Sequence, residues 1–483
     1  MNIKQAKQEI TNTLKAYLAK DQLGNYLIPT VRQRPVLLMG PPGVGKTQIM
    51  EQIAAETGVG LVAYTITHHT RQSAIGLPFI EKRTYGGEEV SVTEYTMSEI
   101  LSSVYRLMER TGLQEGILFL DEINCVSETL APMMLQFLQC KTFGNQALPE
   151  GWLIVAAGNP PEYNKSVRDF DVVTLDRVKR IDVEEDYGVW KEYARRKNLH
   201  GAILSYLDIK KDNFYRIENT ADGLQFATAR GWEDLSELLY AYETLGIRAD
   251  REVVGQYIQM PRIAKDFANY LEMFYKYQKT YHVEGILSGT WENITVLELR
   301  EAPFDEKLSV MGLVLSRLSE EARNTRCQDA LTDALHTSLT EFREKIADAP
   351  PLTVLDQLLW KRRTAMKQAK EAGQLDKESR DLKQREINAL EDYRQRLDRE
   401  AVAPEGAMDA VRGWFGEEVE RRKAVAMETK DMFDNAFRFL ETTFGNSQEL
   451  VIFVTEITVG YNTSWFVEQF GCDAYFRHNR ELL

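Results

Sequence analysis

The chain has 483 residues, a length that suggests about three domains and a substantial buried core. Hydrophobic residues make up 43% and charged residues 27% of the sequence, which excludes a largely disordered or collagen-like protein. With 59 basic and 73 acidic side chains the net charge is −14, so the molecule as a whole repels phosphate backbones. We therefore do not expect nucleic acid to be a partner.

The first 20 residues carry charges throughout and place apolar side chains at helical spacing. This pattern predicts an amphipathic helix rather than a signal peptide, and no run of about 18 apolar residues predicts a membrane span. The four cysteines lie far apart and lack the spacing of a structural zinc site, which indicates reduced thiols. The neighbouring His68 and His69 would point to opposite faces of a strand, so no metal site is predicted there. Together these features predict a cytoplasmic protein.

Short apolar runs alternate with helical patterns between Val36 and Val183, which predicts a parallel sheet between helices. From Asp186 to about Tyr281 the periodicity is helical throughout and predicts a smaller all-helical domain. Beyond Pro350 a dense run of mixed charges predicts a solvated helical arm that turns at Gly373. An aromatic-rich helical tail follows.

A glycine-rich segment follows the apolar run Val36–Met39 and opens a helical pattern, which is the strand-loop-helix context of a phosphate-binding loop. Such a loop turns backbone N–H groups towards phosphate oxygens. Lys46 would supply a positive charge at the β and γ phosphates, and the Thr47 hydroxyl would bind Mg²⁺. The loop consists of Gly40, Pro41, Pro42, Gly43, Val44, Gly45, Lys46 and Thr47.

Two further apolar runs end in polar side chains that suit nucleotide hydrolysis. The run Ile117–Leu120 ends in Asp121, which we expect to hold Mg²⁺, and Glu122, which we expect to polarise the attacking water. The run Trp152–Ala157 leads to Asn159, whose amide could bond the water or the γ-phosphate. Each signal alone is weak, but together with the glycine-rich loop they predict a nucleoside triphosphatase that uses Mg²⁺ and either ATP or GTP.

The three elements in this order resemble the AAA+ ATPases over about residues 30–285. The sequences Leu120–Asn124 and Gly158–Pro160 resemble the MoxR branch in particular. The resemblance implies an α/β P-loop core with a parallel sheet between helices and a small all-helical lid. The helical patterns after the lid predict a connector and a mainly helical C-terminal appendage. The predicted domains are an AAA+ domain with its N-terminal helix (residues 1–185) and a lid (186–285). A helical connector (286–350) and the appendage (351–483) follow.

The same resemblance implies arginines that complete the site. A finger arginine from the neighbouring subunit matches Arg177, with Arg168 and Arg180 as alternatives. A lid arginine matches Arg230, although the proline usual before it is replaced by Ala229. The segment 79–93, with glycines at its centre, resembles an insert that faces the pore of ring assemblies in this branch.

The function implied is a ring, expected to be a hexamer, that hydrolyses ATP to remodel, mature or activate a client protein. The resemblance also implies a partner with a von Willebrand factor A domain. An AAA+ nucleic-acid motor or restriction-type translocase is the alternative, against which the acidic composition counts. A nucleotide-gated scaffold whose helical C-terminal arm is the working part is a third hypothesis.

Overall fold

The computed structural model describes residues 1–68, 72, 76–86, 88–144, 146–163, 167, 170–220 and 223–482. Residue contacts divide the chain into two compact units. Unit 1 comprises Met1–Asp186 and Arg363–Arg380, and unit 2 comprises Tyr187–Arg362 and Asp381–Leu483.

Unit 1 is an α/β structure. Its strands are β1 (Val36–Met39), β2 (Gly60–Thr65), β3 (Pro78–Tyr85), β4 (Glu88–Tyr95), β5 (Gly116–Asp121), β6 (Thr142–Phe143), β7 (Gln146–Ala147), β8 (Trp152–Gly158) and β9 (Lys179–Asp182). Its helices are α1 (Ile3–Leu18), α2 (Lys46–Thr57), α3 (Glu99–Thr111), α4 (Ala131–Cys140) and the single turn α5 (Val172–Leu175). Within the described ranges, five strands pair in parallel in the order β2-β5-β8-β1-β9.

The three central strands of the sheet, β5, β8 and β1, are buried on both faces. Every residue of β8 is buried, as expected for a parallel strand covered by helices on each side. Alternate residues of β5 enter two apolar clusters: Leu118 packs with residues of α3 and α4, and Phe119 packs with residues of α1 and α2. The predicted parallel sheet between helices is therefore confirmed.

Helix α1 begins at a capping box in which the Asn2 side chain accepts from the Gln5 N–H at 3.0 Å. The Gln5 side chain in turn accepts from the Asn2 N–H at 3.2 Å. The helix buries Ala6, Ile10 and Leu14 in the cluster that covers one face of the sheet. The predicted amphipathic N-terminal helix is confirmed.

Strands β3 and β4 form an antiparallel hairpin, with Tyr85 opposite Glu88. Nearly all of its residues are exposed, Tyr85 by 57%. Gly87, His69, and Arg168 among the alternative finger arginines lie outside the described residues.

Unit 2 is mainly helical. Its helices, together with the two that continue into unit 1, are α6 (Tyr187–Arg196), α7 (Gly201–Ile209), α8 (Ala229–Leu245), α9 (Arg251–Tyr257), α10 (Pro261–Thr280), α11 (Val283–Leu287), α12 (Asn293–Glu301), α13 (Phe304–Lys345), α14 (Pro351–Glu371), α15 (Lys377–Arg399), α16 (Ala407–Phe444), α17 (Gln448–Val459), α18 (Tyr461–Phe470) and α19 (Asp473–Leu482). This agrees with the predicted helical C-terminal part.

The predicted all-helical segment after Asp186 needs one correction. Strands β10 (Arg216–Thr220) and β11 (Gly223–Ala227) form an antiparallel hairpin within it. The sequence Asp222-Gly223 is a general signal for a break in helical structure, because both residues favour turns over helix interiors.

One apolar cluster runs through unit 2. It includes Trp190 of α6, Phe267 of α10 and Leu318 of α13 together with Phe437 of α16 and Phe453 of α17. Residues on both sides of positions 285 and 350 therefore share this core, in which the aromatic-rich tail takes part. Among the described residues no single helix has the length and apolar content to cross a membrane, although α17 and α18, bent by 88° between them, reach that content as a pair.

The segment Arg363–Arg380 belongs to unit 1 and contains the turn between α14 and α15. Gly373 has φ +70°, so the predicted turn at this glycine is confirmed. Beside it the Gln374 side chain donates to the Val59 carbonyl at 3.2 Å. Arg110 and Glu371 form an ion pair at 3.8 Å between Nε and Oε2. The tip of this helical hairpin thus packs where the chain enters β2.

Candidate active site

The glycine-rich loop joins β1 to α2 at the carboxyl edge of the sheet. Gly43 and Gly45 have φ of +77° and +93°, a backbone conformation that side chains with a Cβ rarely adopt. Gly45 is also the N-cap residue of α2 and has no side chain with which to bond the first N–H groups of the helix. The loop and the helix start therefore present backbone donors and the positive end of a helix dipole, as an anion site requires.

Lys46, the first residue of α2, is only 8% exposed. Its Nζ donates to the Gly40 carbonyl at 2.8 Å, the Pro41 carbonyl at 2.9 Å and the Asn159 Oδ1 at 2.8 Å. These three acceptors are neutral oxygens, and a buried ammonium is stabilised further by an anion. The lysine thus lies inside the loop where a phosphate would bring negative charge.

Thr47 and Asp121 bring two oxygen ligands together. The Thr47 Oγ1 donates to the Asp121 Oδ2 at 3.2 Å, and both side chains are half-buried. Asp121 is the last residue of β5, which places its carboxylate at the same edge as the loop. A hydroxyl and a carboxylate fit Mg²⁺, which prefers few protein oxygens and completes its shell with phosphate and water.

Glu122 has an unusual backbone. Its φ of +58° lies in the left-handed region, which costs a residue with a Cβ about 1 kcal/mol or more. The backbone N–H donates to the Asp121 Oδ1 at 3.0 Å, and the Oε2 atom accepts from the Thr67 hydroxyl at 2.8 Å. The carboxylate is thus held beside the end of β2, next to Asp121.

Residues 35–178 match the family model described as AAA domain, dynein-related subfamily. This part of the chain is an AAA-type ATPase domain. The parallel sheet and the glycine-rich loop fit the P-loop core that this family implies. No curated protein matches the chain.

Five sequence-predicted residues of the AAA domain meet at one edge of its sheet. Lys46 and Thr47 follow β1, Asp121 and Glu122 lie at the end of β5, and Asn159 follows β8. The direct contacts between Lys46 and Asn159 and between Thr47 and Asp121 join all three strands. An AAA domain implies nucleotide binding, and this edge carries the groups that suit a triphosphate with its metal ion.

Arg177 lies at the opposite edge of the AAA domain. It precedes β9, in which Lys179 pairs with Val36 at the start of β1. Gly40 lies four residues beyond Val36, about 13 Å farther in the strand direction, so Lys179 and the preceding Arg177 lie towards the amino end of β1, away from the loop. Arg177 is exposed and bonds the Gln139 side chain, whereas Arg180 is exposed and pairs with Asp182 at 2.8 Å.

Arg230 belongs to unit 2, where it is the second residue of α8 and is exposed. The helix begins with Thr228 as its N-cap, whose hydroxyl accepts from the Gly231 N–H at 3.3 Å. The role that the resemblance implies for Arg230 stays a prediction.

Sequence reasoning missed Thr67, which bonds Glu122. The residue follows β2, and Thr65 pairs with Asp121 in the register of β2 and β5. Since the carboxyl ends of neighbouring parallel strands meet at the same edge, this contact follows once the strand order is known. The sequence around Thr67 alone carries no such signal.

Proposed function

We propose that this chain is a MoxR-type AAA+ ATPase that works as a ring, of six subunits, and couples ATP hydrolysis to the remodelling or activation of a client protein. The observation that carries the ATPase part is the meeting of Lys46, Thr47, Asp121, Glu122 and Asn159 at one sheet edge. The branch rests on the sequences Leu120–Asn124 and Gly158–Pro160, within a segment that matches the AAA family model.

In the proposed reaction each group has a separate task. Lys46 exchanges its bonds to the loop carbonyls for phosphate oxygens and so stabilises the bound triphosphate. Thr47 and Asp121 would hold Mg²⁺, and the ion would supply positive charge beside the phosphates. Glu122 accepts a proton from the water that attacks the γ-phosphate, and Asn159 orients that water or the phosphate through its amide.

The position of Arg177 and the residues around it support the proposed ring. Arg177 precedes β9 on the side of the sheet away from its own loop, which supports a role for it at a nucleotide held by another subunit. Val172 and Val173 of the neighbouring turn α5 are 81% and 56% exposed. Apolar side chains of this exposure next to an arginine favour a surface that a second copy covers.

A mixing experiment tests the ring and the finger together. Subunits with Arg177→Ala retain the loop, and subunits with Lys46→Ala retain the finger. In an equal mixture, about a quarter of the sites would combine an intact loop with an intact finger if neighbours assort at random. We expect each variant alone to be inactive and the mixture to recover hydrolysis in that proportion.

Arg180→Ala is the matched control, since it removes an arginine three residues away. Recovery with Arg180→Ala instead, while Arg177→Ala alone remains active, would assign the finger to Arg180, and Arg168→Ala is tested in the same way. Co-assembled mixtures that show no recovery with any of the three arginines would contradict an intersubunit finger.

The client and the von Willebrand factor A partner rest on the MoxR resemblance alone. The neighbouring genes provide the first test, because a reading frame for a von Willebrand A-like domain beside this one supports the proposal. A neighbouring nuclease, or salt-dependent DNA binding by the purified ring, would favour the nucleic-acid motor instead.

A further inference from the structure

We propose that Asn124 is a positioning residue that fixes Asn159, and through it Lys46, at the phosphate edge of the site. The inference rests on the proposed function, because it assumes that Asn159 acts on the nucleotide. Asn124 lies two residues after Glu122 and is only 3% exposed.

A single side-chain amide bonds both backbone groups of Asn159. The Asn124 Nδ2 donates to the Asn159 carbonyl at 2.7 Å, and the Asn159 N–H donates to the Asn124 Oδ1 at 3.3 Å. One residue earlier, the Ile123 N–H donates to the Ala157 carbonyl at 2.9 Å. The amide of Asn124 therefore continues the pairing of β5 and β8 beyond the end of β5, where it replaces the peptide group of a strand neighbour.

Gly158 makes this close approach possible. A Cβ at this position would lie 2.6 Å from the Asn124 Oδ1, 2.9 Å from its Cγ and 3.1 Å from the Met39 sulfur. The two distances to Asn124 are shorter than non-bonded atoms tolerate, so a side chain at position 158 would displace the Asn124 amide. The sequence Gly158-Asn159 is thus matched to the asparagine two residues after Glu122.

The Asn159 side chain links Asn124 to Lys46, a residue proposed to bind the nucleotide. With its peptide held by Asn124, the Asn159 side chain accepts from the Lys46 Nζ at 2.8 Å. Loss of the Asn124 amide would free the Asn159 peptide to rotate and would move its side chain. A displacement of about 1 Å at a reacting centre can cost about a hundredfold in rate, even when the displaced group is still present.

A double-mutant cycle in the full chain tests the inference. We expect Asn124→Ala to lower kcat for ATP hydrolysis by about tenfold or more, with ADP affinity changed by less than about threefold. Because Asn124 acts through Asn159, the double variant with Asn159→Ala should be no slower than Asn159→Ala alone. Asn12→Ala is the matched control, since Asn12 is an exposed asparagine of α1 whose amide bonds only the Gln8 side chain among the contacts described.

Two further variants disturb the hydrogen bonds between Asn124 and Asn159 without leaving a cavity. Asn124→Asp keeps the size of the side chain but places an oxygen against the Asn159 carbonyl, and Gly158→Ala displaces the Asn124 amide from the other side. Both are expected to lower kcat as Asn124→Ala does. They keep the inference testable if Asn124→Ala does not fold.

The outcomes separate this inference from the proposed function. If Asn159→Ala is slow while Asn124→Asp and Gly158→Ala hydrolyse at the wild-type rate, Asn124 is structural only and the inference is overturned. Multiplied losses in the double variant would overturn it too, because they show independent action. Wild-type hydrolysis by Asn159→Ala would refute the proposed role of Asn159, and the inference would fail with it.

Discussion

Glu122→Gln is the substitution that isolates the proposed water-activating charge. The glutamine has nearly the same shape, and its carbonyl oxygen can accept the bond from Thr67 that now reaches the Glu122 Oε2 at 2.8 Å. The backbone keeps its φ of +58° at the same cost, because both residues carry a Cβ and a long side chain. The substitution therefore removes a negative charge and a proton acceptor and leaves the local structure intact.

The expected loss follows from the task assigned to the carboxylate. A general base contributes about 10²- to 10⁴-fold, which corresponds to about 3–5 kcal/mol of activation free energy. Affinity for ATP should change by less than about threefold, since the contacts of Lys46 and Thr47 do not pass through this side chain. The variant should accordingly bind ATP and hold it unhydrolysed.

Single-turnover hydrolysis with excess protein, together with ATP affinity by titration, separates the chemical step from binding. Glu109→Gln is the matched control, because it makes the same change at an exposed position on α3. If Glu122→Gln hydrolyses within about tenfold of the wild-type rate, a different group activates the water and the assignment is wrong. If the variant instead fails to bind ATP, the carboxylate shapes the loop rather than the chemistry.

Three other predictions follow from buried or paired side chains. Lys46→Ala removes the ammonium inside the loop. Nucleotide affinity, measured by titration, should fall by about a hundredfold or more, which is equivalent to about 3 kcal/mol. An affinity near that of the wild type would contradict the role given to this lysine. Phe437→Ala should lower the unfolding free energy of unit 2 by about 3–5 kcal/mol in urea, while the 69% exposed Trp360 can be replaced by alanine with little effect. Two lysines hold the pKa of Glu341 at about 2, below its usual 4.5, so the ion pairs stabilise the fold above pH 4.5 and the contribution is lost as the pH falls towards 2. The stability difference between wild type and Glu341→Gln, about 1 kcal/mol at neutral pH, should therefore shrink in thermal unfolding below pH 4.5, and a constant difference would contradict this reasoning.

The sequence predicts the sheet and most of its polar edge because those signals are local. The run Trp152–Ala157 is apolar without alternation, as a strand covered on both faces must be, and it ends where the chain leaves the core. The glycine-rich loop is recognisable because its backbone conformations require glycine and its lysine must follow at a fixed distance. Both features are written in consecutive residues.

The contacts of Thr67 and Asn124 could not be predicted because they depend on strand order. Thr67 reaches Glu122 since β2 lies next to β5, and Asn124 reaches Asn159 since β5 lies next to β8. Neither order follows from the residues around these two side chains. A short polar residue after a strand predicts only an ordinary turn as long as the neighbouring strand is unknown.

The division of the C-terminal half is also a non-local property. A pair of prolines predicts a break in the chain, but Pro351 is the first residue of helix α14, a position that suits the fixed φ of proline. The apolar faces of α13 and α16 are each consistent with several partners. Only packing reveals that Phe437 and Phe453 enter the same core as Trp190 and Phe267, residues more than 150 positions earlier in the chain.

The hydrogen bonds at the phosphate edge bear on how the proposed site would respond to its ligand. Lys46 already bonds three oxygens, two of which belong to the loop itself, so phosphate binding must exchange these bonds rather than add to them. Of the three, the bond to Asn159 joins Lys46 to the residue that follows β8, and a lysine drawn towards a γ-phosphate would alter that bond. The Asn159 backbone is bonded to Asn124, which lies two residues after Glu122. A change in the hydrogen bonds of Lys46 would therefore shift atoms next to the proposed base. These hydrogen bonds therefore connect the γ-phosphate position, through Lys46, Asn159 and Asn124, to the position of Glu122.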